Sequence, residues 1–326
     1  MTTLAADKPA PRMARFNVAA AAMFILLALV PLAAAFGPES YVLSLITRVM
    51  VFAIAALAVD LLCGFGGLVT FGHAAFVGLG AYTVAICGAH GITDMAITLP
   101  LALIVSAAFA YVTGTICLRT SGVYFIMITL AFGQMAYFIA GSLAPYGGDD
   151  GITLPSRSTL FGLAVFGSDR ALYYATLGFL LASYLLCRAV VYSRFGRVFR
   201  GARENPTRMA TIGYDVFRFQ RVGYVLAGCL GGLAGFLLAN ATEFVSPAYM
   251  SWQRSGELII MVLFGGIGTL YGAIVGAASY LLLEEVLAGF TENWKLIFGP
   301  LLVLIVLFAR GGLTGLLASI KARLTP

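Results

Sequence analysis

Nine long apolar runs, separated by short stretches that carry most of the charges, constrain the fold of this chain more than any other feature. About 20 consecutive apolar residues are enough for an α-helix to cross the hydrocarbon core of a bilayer. The runs span residues 16–36, 42–62, 68–89, 95–118, 123–143, 171–192, 222–242, 258–287 and 294–308. Because 61% of the residues are hydrophobic and only 10% are charged, the sequence predicts an all-α polytopic membrane protein with no room for a soluble domain.

The residues before the first run predict the side of the membrane on which the chain begins. Lys8, Arg12 and Arg15 precede the run, and basic residues next to a span favour the cytoplasmic side. A cleaved signal peptide is an alternative for residues 16–36, because the run ends in small residues. We expect an uncleaved first helix, since the run is long enough to span and many spans follow it.

The other end of the chain predicts a break inside the long run 258–287. The tail carries Arg310, Lys321 and Arg323 without an acid, which also favours the cytoplasm. Both termini are cytoplasmic only if the run is crossed twice or re-entrant, and the sequence offers glycines for such a break at Gly265, Gly266, Gly268 and Gly272. We therefore predict about ten membrane segments, some of them short or glycine-broken.

These assignments divide the chain into a membrane domain and its extensions. The domain spans 16–310, between a cytoplasmic N-terminal tail at 1–15 and a cytoplasmic tail at 311–326. Within it we expect an external loop at 144–170 and a charged cytoplasmic loop at 193–221.

Two glycine-rich stretches, 64–80 and 265–276, resemble each other. Paired glycine-interrupted segments are typical of transporter repeats, in which the transport pathway lies near the breaks. Tight helix packing is the alternative, because pairs of glycines four residues apart let helices approach closely. Such pairs are Gly228 with Gly232, Gly231 with Gly235, and Gly268 with Gly272.

The charged loop, which we call the arginine-rich segment (193–221), holds seven arginines against only Glu204 and Asp215. Its first part is amphipathic, with two opposite faces of a helix of 3.6 residues per turn. The apolar face holds Phe195, Val198, Phe199 and Ala202, and the basic face holds Arg194, Arg197, Arg200 and Arg203. A solvated basic loop is the alternative interpretation of this pattern.

The second part of the arginine-rich segment predicts a short helix over 206–212. Asn205 is a suitable cap, Pro206 suits the first helical position and Gly213 suits a left-handed end. At about 1.5 Å per residue this helix is on the order of 10 Å long, a size that fits a groove on a partner.

The sequence RENPTRMATIG at 203–213 resembles the coupling-loop motif of bacterial ATP-binding-cassette import permeases, in the form found in branched-chain amino-acid permease subunits. Four further stretches, at 60–82, 118–135, 147–152 and 245–277, are similar to the same subunits in the same order. The motif departs from the usual alanine run at Arg208 and Thr211 and has Pro206 where an acid is common. The resemblance implies that Arg200, Arg203, Glu204, Asn205, Ala210 and Gly213 form an ATPase-coupling loop.

The resemblance also implies a function and partners. It predicts an inner-membrane permease subunit of an ATP-driven, binding-protein-dependent bacterial importer of leucine, isoleucine and valine. The implied partners are a second permease subunit, two ATPase subunits that bind ATP and magnesium, and a soluble periplasmic binding protein. Importers of urea belong to the same broad group, so a substrate such as urea, or another amino acid or amide, is the alternative.

The residues themselves argue against other classes of function. Lys8, Lys295 and Lys321 lack the glycine-rich context of a phosphate-binding loop, so we expect no ATPase site and no cofactor in this chain. The five widely spaced cysteines and the two histidines, His73 and His90, do not form a metal-binding pattern. A membrane-embedded enzyme that uses the histidines and aspartates is the competing class of function. A catalytic site would concentrate polar residues on neighbouring spans, whereas this sequence scatters them.

An ion-gradient carrier is the remaining alternative. Such carriers bury titratable groups in their spans, and the candidates here are few: Arg48, Asp60 and Glu257. Because Arg48 and Asp60 are about 18 Å apart along one helix, we expect them not to pair with each other, and each to lie near an interface or to meet another helix.

A pathway for an apolar amino acid needs a mostly apolar conduit with a few polar groups. The candidates are Thr70, His73, Tyr124, Thr129 and Gln134. Hydrogen bonding between helices is the alternative role for Tyr124, Thr129 and Gln134. On the external loop, Asp149 and Asp150 lie among glycines, which favours a turn, and the resemblance implies that a binding protein docks on this face.

Overall fold

The computed structural model describes residues 18–34, 39–162 and 165–290, and the single positions or short stretches 293, 296–300, 303, 312–313 and 315. The predicted N-terminal tail, most of the last predicted span and most of the C-terminal tail lie outside the described residues.

The described chain is almost entirely helical, as predicted. Its helices are α1 Val18–Ala34, α2 Glu39–Asp60, α3 His73–Ala89, α4 Met95–Cys117, α5 Val123–Ser142, α6 Asp169–Tyr192, α7 Arg194–Glu204, α8 Pro206–Thr211, α9 Val216–Thr242, α10 Trp252–Gly265 and α11 Leu270–Phe290. A π-helical turn, Leu61–Phe65, extends α2, and the only strands among the described residues are β1 Ile152–Thr153 and β2 Phe244–Val245, paired antiparallel. Within the described part of the chain, six helices are long and apolar enough to cross a membrane: α2 with its π turn, α4, α5, α6, α9 and α11.

Helices α2 and α9 form the centre of the bundle. The most apolar window of α9 is 78% buried and that of α2 is 72% buried, against 22% for α4. The glycine pairs predicted to pack helices do so on α9, because Gly228 and Gly232 face α4 while Gly231 and Gly235 face α3. A helix that is apolar all round and buried on most sides is the expected core of a membrane bundle.

The connecting segments gather at two opposite ends of the bundle. At one end, the loop end, Arg157 pairs with Asp169 at 3.0 Å and with Glu243 at 2.6 Å, and β1 pairs with β2. The other end, the glycine end, holds the arginine-rich segment and both glycine-rich interruptions. Helices α2, α4 and α6 therefore run from the loop end to the glycine end, and α3, α5 and α9 run in the opposite direction.

Both predicted glycine interruptions are present. The first break, residues 66–72, separates the π turn from α3, so α3 begins at His73 rather than near residue 68 as predicted from the apolar run. The second break, residues 266–269, separates α10 from α11 and has positive φ angles at Gly266 (113°) and Gly268 (76°). Glycine adopts such angles without the steric penalty that a Cβ brings, which is why the helices end there.

Two described positions near the C-terminus show where the chain runs after α11. The Phe298 ring lies 4.9 Å from the Tyr280 ring, midway along α11, and Gly312 lies against the backbone of Gly265 and Gly266. The chain therefore returns to the glycine end.

Candidate coupling site

Helix α7 is anchored on the glycine end by its apolar face, as the amphipathic pattern predicts. Phe199 is 1% exposed, and its ring fills the space above Gly66 of the first break and Gly223 of α9. A Cβ on Gly66 would collide with the ring, and one on Gly223 would lie 2.8 Å from it. Phe195 extends the contact by stacking between Phe199 and Phe219. The solvated-loop interpretation is thus wrong for this part of the segment.

Helix α8 is the short capped helix that the sequence predicts, ending at Thr211 with Ile212 as its cap. Asn205 Oδ1 accepts a hydrogen bond from the Arg208 amide at 2.9 Å, and Pro206 occupies the first turn. Gly213 follows with φ of 97°, and nothing lies within 4 Å of a Cβ built on it. None of the residues of α8 is buried, so this helix is available to a partner.

The six predicted coupling residues fall into two groups. Arg200 and Arg203 turn back to their own chain: Arg200 donates to the Val191 carbonyl at 3.2 Å, and Arg203 donates to the Gly64 carbonyl. These contacts do not test whether the arginines also orient an ATPase, so that role stays a prediction. The other group consists of the exposed residues Glu204, Asn205, Ala210 and Gly213.

Arg203 connects α7 to the first break, and Asp60 connects the first break to the second. The Arg203 guanidinium reaches Gly64 in the π turn, and its stem lies along Gly67, which has φ of 70°. Asp60 is 0% exposed, and its Oδ1 accepts a hydrogen bond from the Gly268 amide at 2.7 Å. The structure thus brings together the two glycine-rich stretches and the arginine-rich segment, which the sequence analysis treated separately.

Two of the five predicted pathway residues stabilise the first break. Thr129 Oγ1 accepts from the Phe71 amide at 3.3 Å, and Thr70 Oγ1 accepts from the Gly72 amide at 3.2 Å. Backbone N–H groups at the start of a helix have no hydrogen-bond partner within that helix. The two threonine hydroxyls therefore accept from N–H groups that the break would otherwise leave unpaired. Ser255 of α10, which the sequence analysis did not single out, accepts from the Ala74 amide at 3.0 Å. Hydrogen bonding within the bundle is therefore the observed role of Thr70 and Thr129.

The other three predicted pathway residues are not brought together. His73 is 0% exposed, its ring lies edge-on to Phe76, and neither ring nitrogen has a hydrogen-bond partner among the described residues. Tyr124 is 76% exposed and Gln134 is half-buried, both on α5. Only these two lie on a surface that another subunit can reach.

Asp149 and Asp150 are exposed at the loop end, in the turn that the sequence predicts. The turn has positive φ angles at Gly147, Gly148 and Gly151, and the Gly147 carbonyl accepts from the amides of Asp150 and Gly151. Among the described residues, no cluster of His, Cys, Asp and Glu side chains suits a metal ion.

Charged side chains meet within the bundle at a place that the sequence analysis did not identify. Arg254 pairs with Glu257 on α10 at 2.6 Å, and Glu284 of α11 interacts electrostatically with both and with Arg48 of α2. Arg48 thus interacts with another helix, whereas Asp60 meets the second break through Gly268. The four groups carry no net charge, which reduces the cost of holding them between apolar helices.

Comparison with known proteins identifies the family. Residues 41–307 match the family model described as the permease component of branched-chain amino acid transport systems. The chain is 28% identical over 290 residues to the high-affinity branched-chain amino acid transport permease LivM of Salmonella typhimurium, an alignment covering 82% of this chain and 68% of LivM. It is 22% identical over 285 residues to the LivH permease of Escherichia coli K12, covering 81% of this chain and 91% of LivH. No solved structure matches.

The matched range includes α2 to α11, with both breaks, the arginine-rich segment and the loop end. Similarity to LivM and LivH together indicates that two kinds of permease subunit share this fold. The resemblance found in the sequence motifs is thereby confirmed, and the chain belongs to the family of permease components of branched-chain amino acid transport systems.

Proposed function

We propose that this chain is one permease subunit of an ATP-driven, binding-protein-dependent importer of leucine, isoleucine and valine. The observation that carries the proposal is α8, a short capped helix that has no buried residue and rests on the anchored helix α7. A short helix presented on a rigid base suits a groove on a second protein. The chain's own residues offer no phosphate-binding loop, so ATP and magnesium belong to two partner ATPase subunits.

In this proposal the glycine end faces the cytoplasm and the loop end faces the periplasm. The arginine-rich segment lies at the glycine end with a net excess of five positive charges, whereas Arg157 and Arg170 at the loop end are paired with carboxylates. The return of Gly312 to the glycine end supports about ten membrane segments with both tails cytoplasmic. The chain then lies in the bacterial inner membrane, beside a second permease of the LivM or LivH kind.

Exposure divides the five candidates for the substrate pathway into two groups. Tyr124 and Gln134 are accessible on α5 and remain candidates for the pathway, while Thr70, His73 and Thr129 act behind that face. The exposed Asp149 and Asp150 contribute to the surface on which the periplasmic binding protein docks.

The test is uptake of labelled leucine by cells lacking this gene, with and without the gene restored, and with labelled urea as a parallel tracer. We expect leucine uptake to return with the gene and to be lost with Glu204→Arg, because the exposed Glu204 lies at the partner surface. Asp215→Asn is the matched control, since it removes the segment's other acid while its amide oxygen can still cap α9.

The outcomes of this experiment separate the substrate from the architecture. If only urea uptake returns, the architecture stands and the branched-chain substrate is wrong. If neither tracer responds, the proposed function is wrong. If the Glu204→Arg variant transports leucine normally, the coupling role of α8 is wrong.

A further inference from the structure

We propose that Arg203 and Asp60 are positioning residues that carry movement of the partner-facing helix α8, passed through the anchored helix α7, to both helix breaks at once. The inference rests on the proposed function, because it assumes that an ATPase moves α8. It assigns a role to a buried carboxylate and to an arginine whose contact lies within the chain.

The first step is the contact between α7 and the π turn. Arg203 Nη1 donates to the Gly64 carbonyl, while Phe199, one turn earlier on α7, packs on Gly66. Helix α7 therefore holds the start of the first break at two points, one apolar and one hydrogen-bonded. A displacement of α7 moves Gly64 unless both contacts are lost.

The second step runs from Gly64 to the other break. Gly64 lies directly against the Asp60 carboxylate and the Gly268 backbone, since a Cβ on Gly64 would collide with Asp60 Oδ1 and would lie 2.6 Å from the Gly268 nitrogen. The Asp60 Oδ1 bond to the Gly268 amide, at 2.7 Å, fastens the two breaks to each other. Because neither glycine has a side chain, the two backbones are in contact and cannot move independently.

The third step concerns the oxygen that Asp60 does not use here. Asp60 Oδ2 is buried and has no hydrogen-bond partner among the described residues. A buried, unpaired carboxylate oxygen is costly, and such groups call for an explanation. Arg203 interacts electrostatically with Asp60 from the other side of Gly64. We infer that Oδ2 accepts from the Arg203 guanidinium when α7 moves, while Arg203 Nη1 keeps its bond to the Gly64 carbonyl.

The experiment uses the complete importer, with both permeases, the ATPases and the binding protein, reconstituted in vesicles. It measures leucine transported per ATP hydrolysed for wild type, Arg203→Ala, Asp60→Asn and the double variant. Asn retains an oxygen for the Gly268 amide but cannot form an ion pair with Arg203. Arg218→Ala is the matched control, because Arg218 is an exposed arginine of the same segment that pairs only with the adjacent Asp215.

We expect each single variant to assemble with the ATPases and to lose about tenfold in transport per ATP. The double variant should lose no more than the more affected single variant, because both residues act in one chain of contacts. The inference is wrong if Arg203→Ala transports leucine per ATP within about twofold of wild type. It is also wrong if the losses of the two single variants multiply in the double variant.

Two further results keep the inference separate from the proposed function. If the wild-type permease recruits no ATPase, the proposed function is wrong. That result is obtained without any variant of Arg203 or Asp60, so it is distinct from a failure of the further inference. If the Asp60→Asn variant does not assemble with the ATPases, the test rests on the exposed Arg203. The inference then requires that Arg203→Ala transports less leucine per ATP than wild type. It also requires that Arg203→Lys, which retains a donor, recovers part of this loss. Equal ratios in these two variants and wild type overturn it.

Discussion

Helices α7 and α8 are neighbours in the sequence, separated only by Asn205, yet they belong to different parts of the protein. Helix α7 buries Gly196, Val198, Phe199 and Ala202 and is fixed to the bundle, whereas α8 buries no residue. Packing decides the conformation of α7, and capping decides that of α8. This difference implies that substitutions on α7 affect the permease itself, while substitutions around α8 affect its association with an ATPase.

The largest effect that would test this difference is expected from Gly223→Val, which places a branched side chain under the Phe199 ring. The three atoms nearest to a Cβ at Gly223 belong to that ring, the closest at 2.8 Å. Overpacking of this kind costs about 1–3 kcal/mol, so we expect a lower midpoint for denaturation of the purified permease. Phe199→Ala in the same chain should recover part of the loss.

Gly178→Val is the control for this substitution, because no atom lies within 4 Å of a Cβ at Gly178. A Gly223→Val permease as stable as the control would show that α7 is not held by the Phe199 contact.

A smaller effect, limited to association, is expected from Gly213→Val. The φ angle of 97° at Gly213 is unfavourable for a β-branched residue, at a cost of roughly 1–2 kcal/mol, but no atom nearby would clash with the new side chain. We expect unchanged denaturation of the permease and about tenfold weaker binding of the ATPase, measured by titration in detergent. Reduced permease stability without weaker binding would place Gly213 in the bundle rather than at the partner surface.

The smallest effect is expected from Asn205→Ala, which removes the hydrogen bond to the Arg208 amide. Loss of a helix cap costs about 1 kcal/mol, so α8 should fray and the ATPase should bind about fivefold more weakly. Asn205→Asp retains a capping oxygen and should bind normally. Equal binding by the alanine and aspartate variants would mean that the partner, rather than the cap, forms α8.

The sequence was informative wherever the structure depends on local pattern. Periodicity predicts α7, and the Asn205, Pro206 and Gly213 signals predict α8 to within one residue. The glycine breaks follow from backbone freedom, although α3 begins several residues later than its apolar run suggests. These features depend on residues that are close together in the chain.

The contacts that join these elements could not be predicted, because they connect residues far apart in the sequence. Asp60 accepts a hydrogen bond from Gly268, which lies between α10 and α11, and nothing in the composition around either residue predicts this contact. For the same reason the contact between Arg203 and the Gly64 carbonyl could not be predicted, since a basic helix face in a loop is usually solvated. The similarity between the two glycine-rich stretches was the one signal that could have suggested that they meet.

The packing of Phe199 has a consequence for how the protein is made. Its two glycine contacts come from opposite sides of α7 in the sequence, Gly66 long before it and Gly223 after it. During synthesis α7 leaves the ribosome before α9, so its base is incomplete until α9 has entered the membrane. We therefore expect the surface that recruits an ATPase to reach its final structure only after α9 is in place. Recruitment of the ATPase then waits until most of the bundle has been inserted.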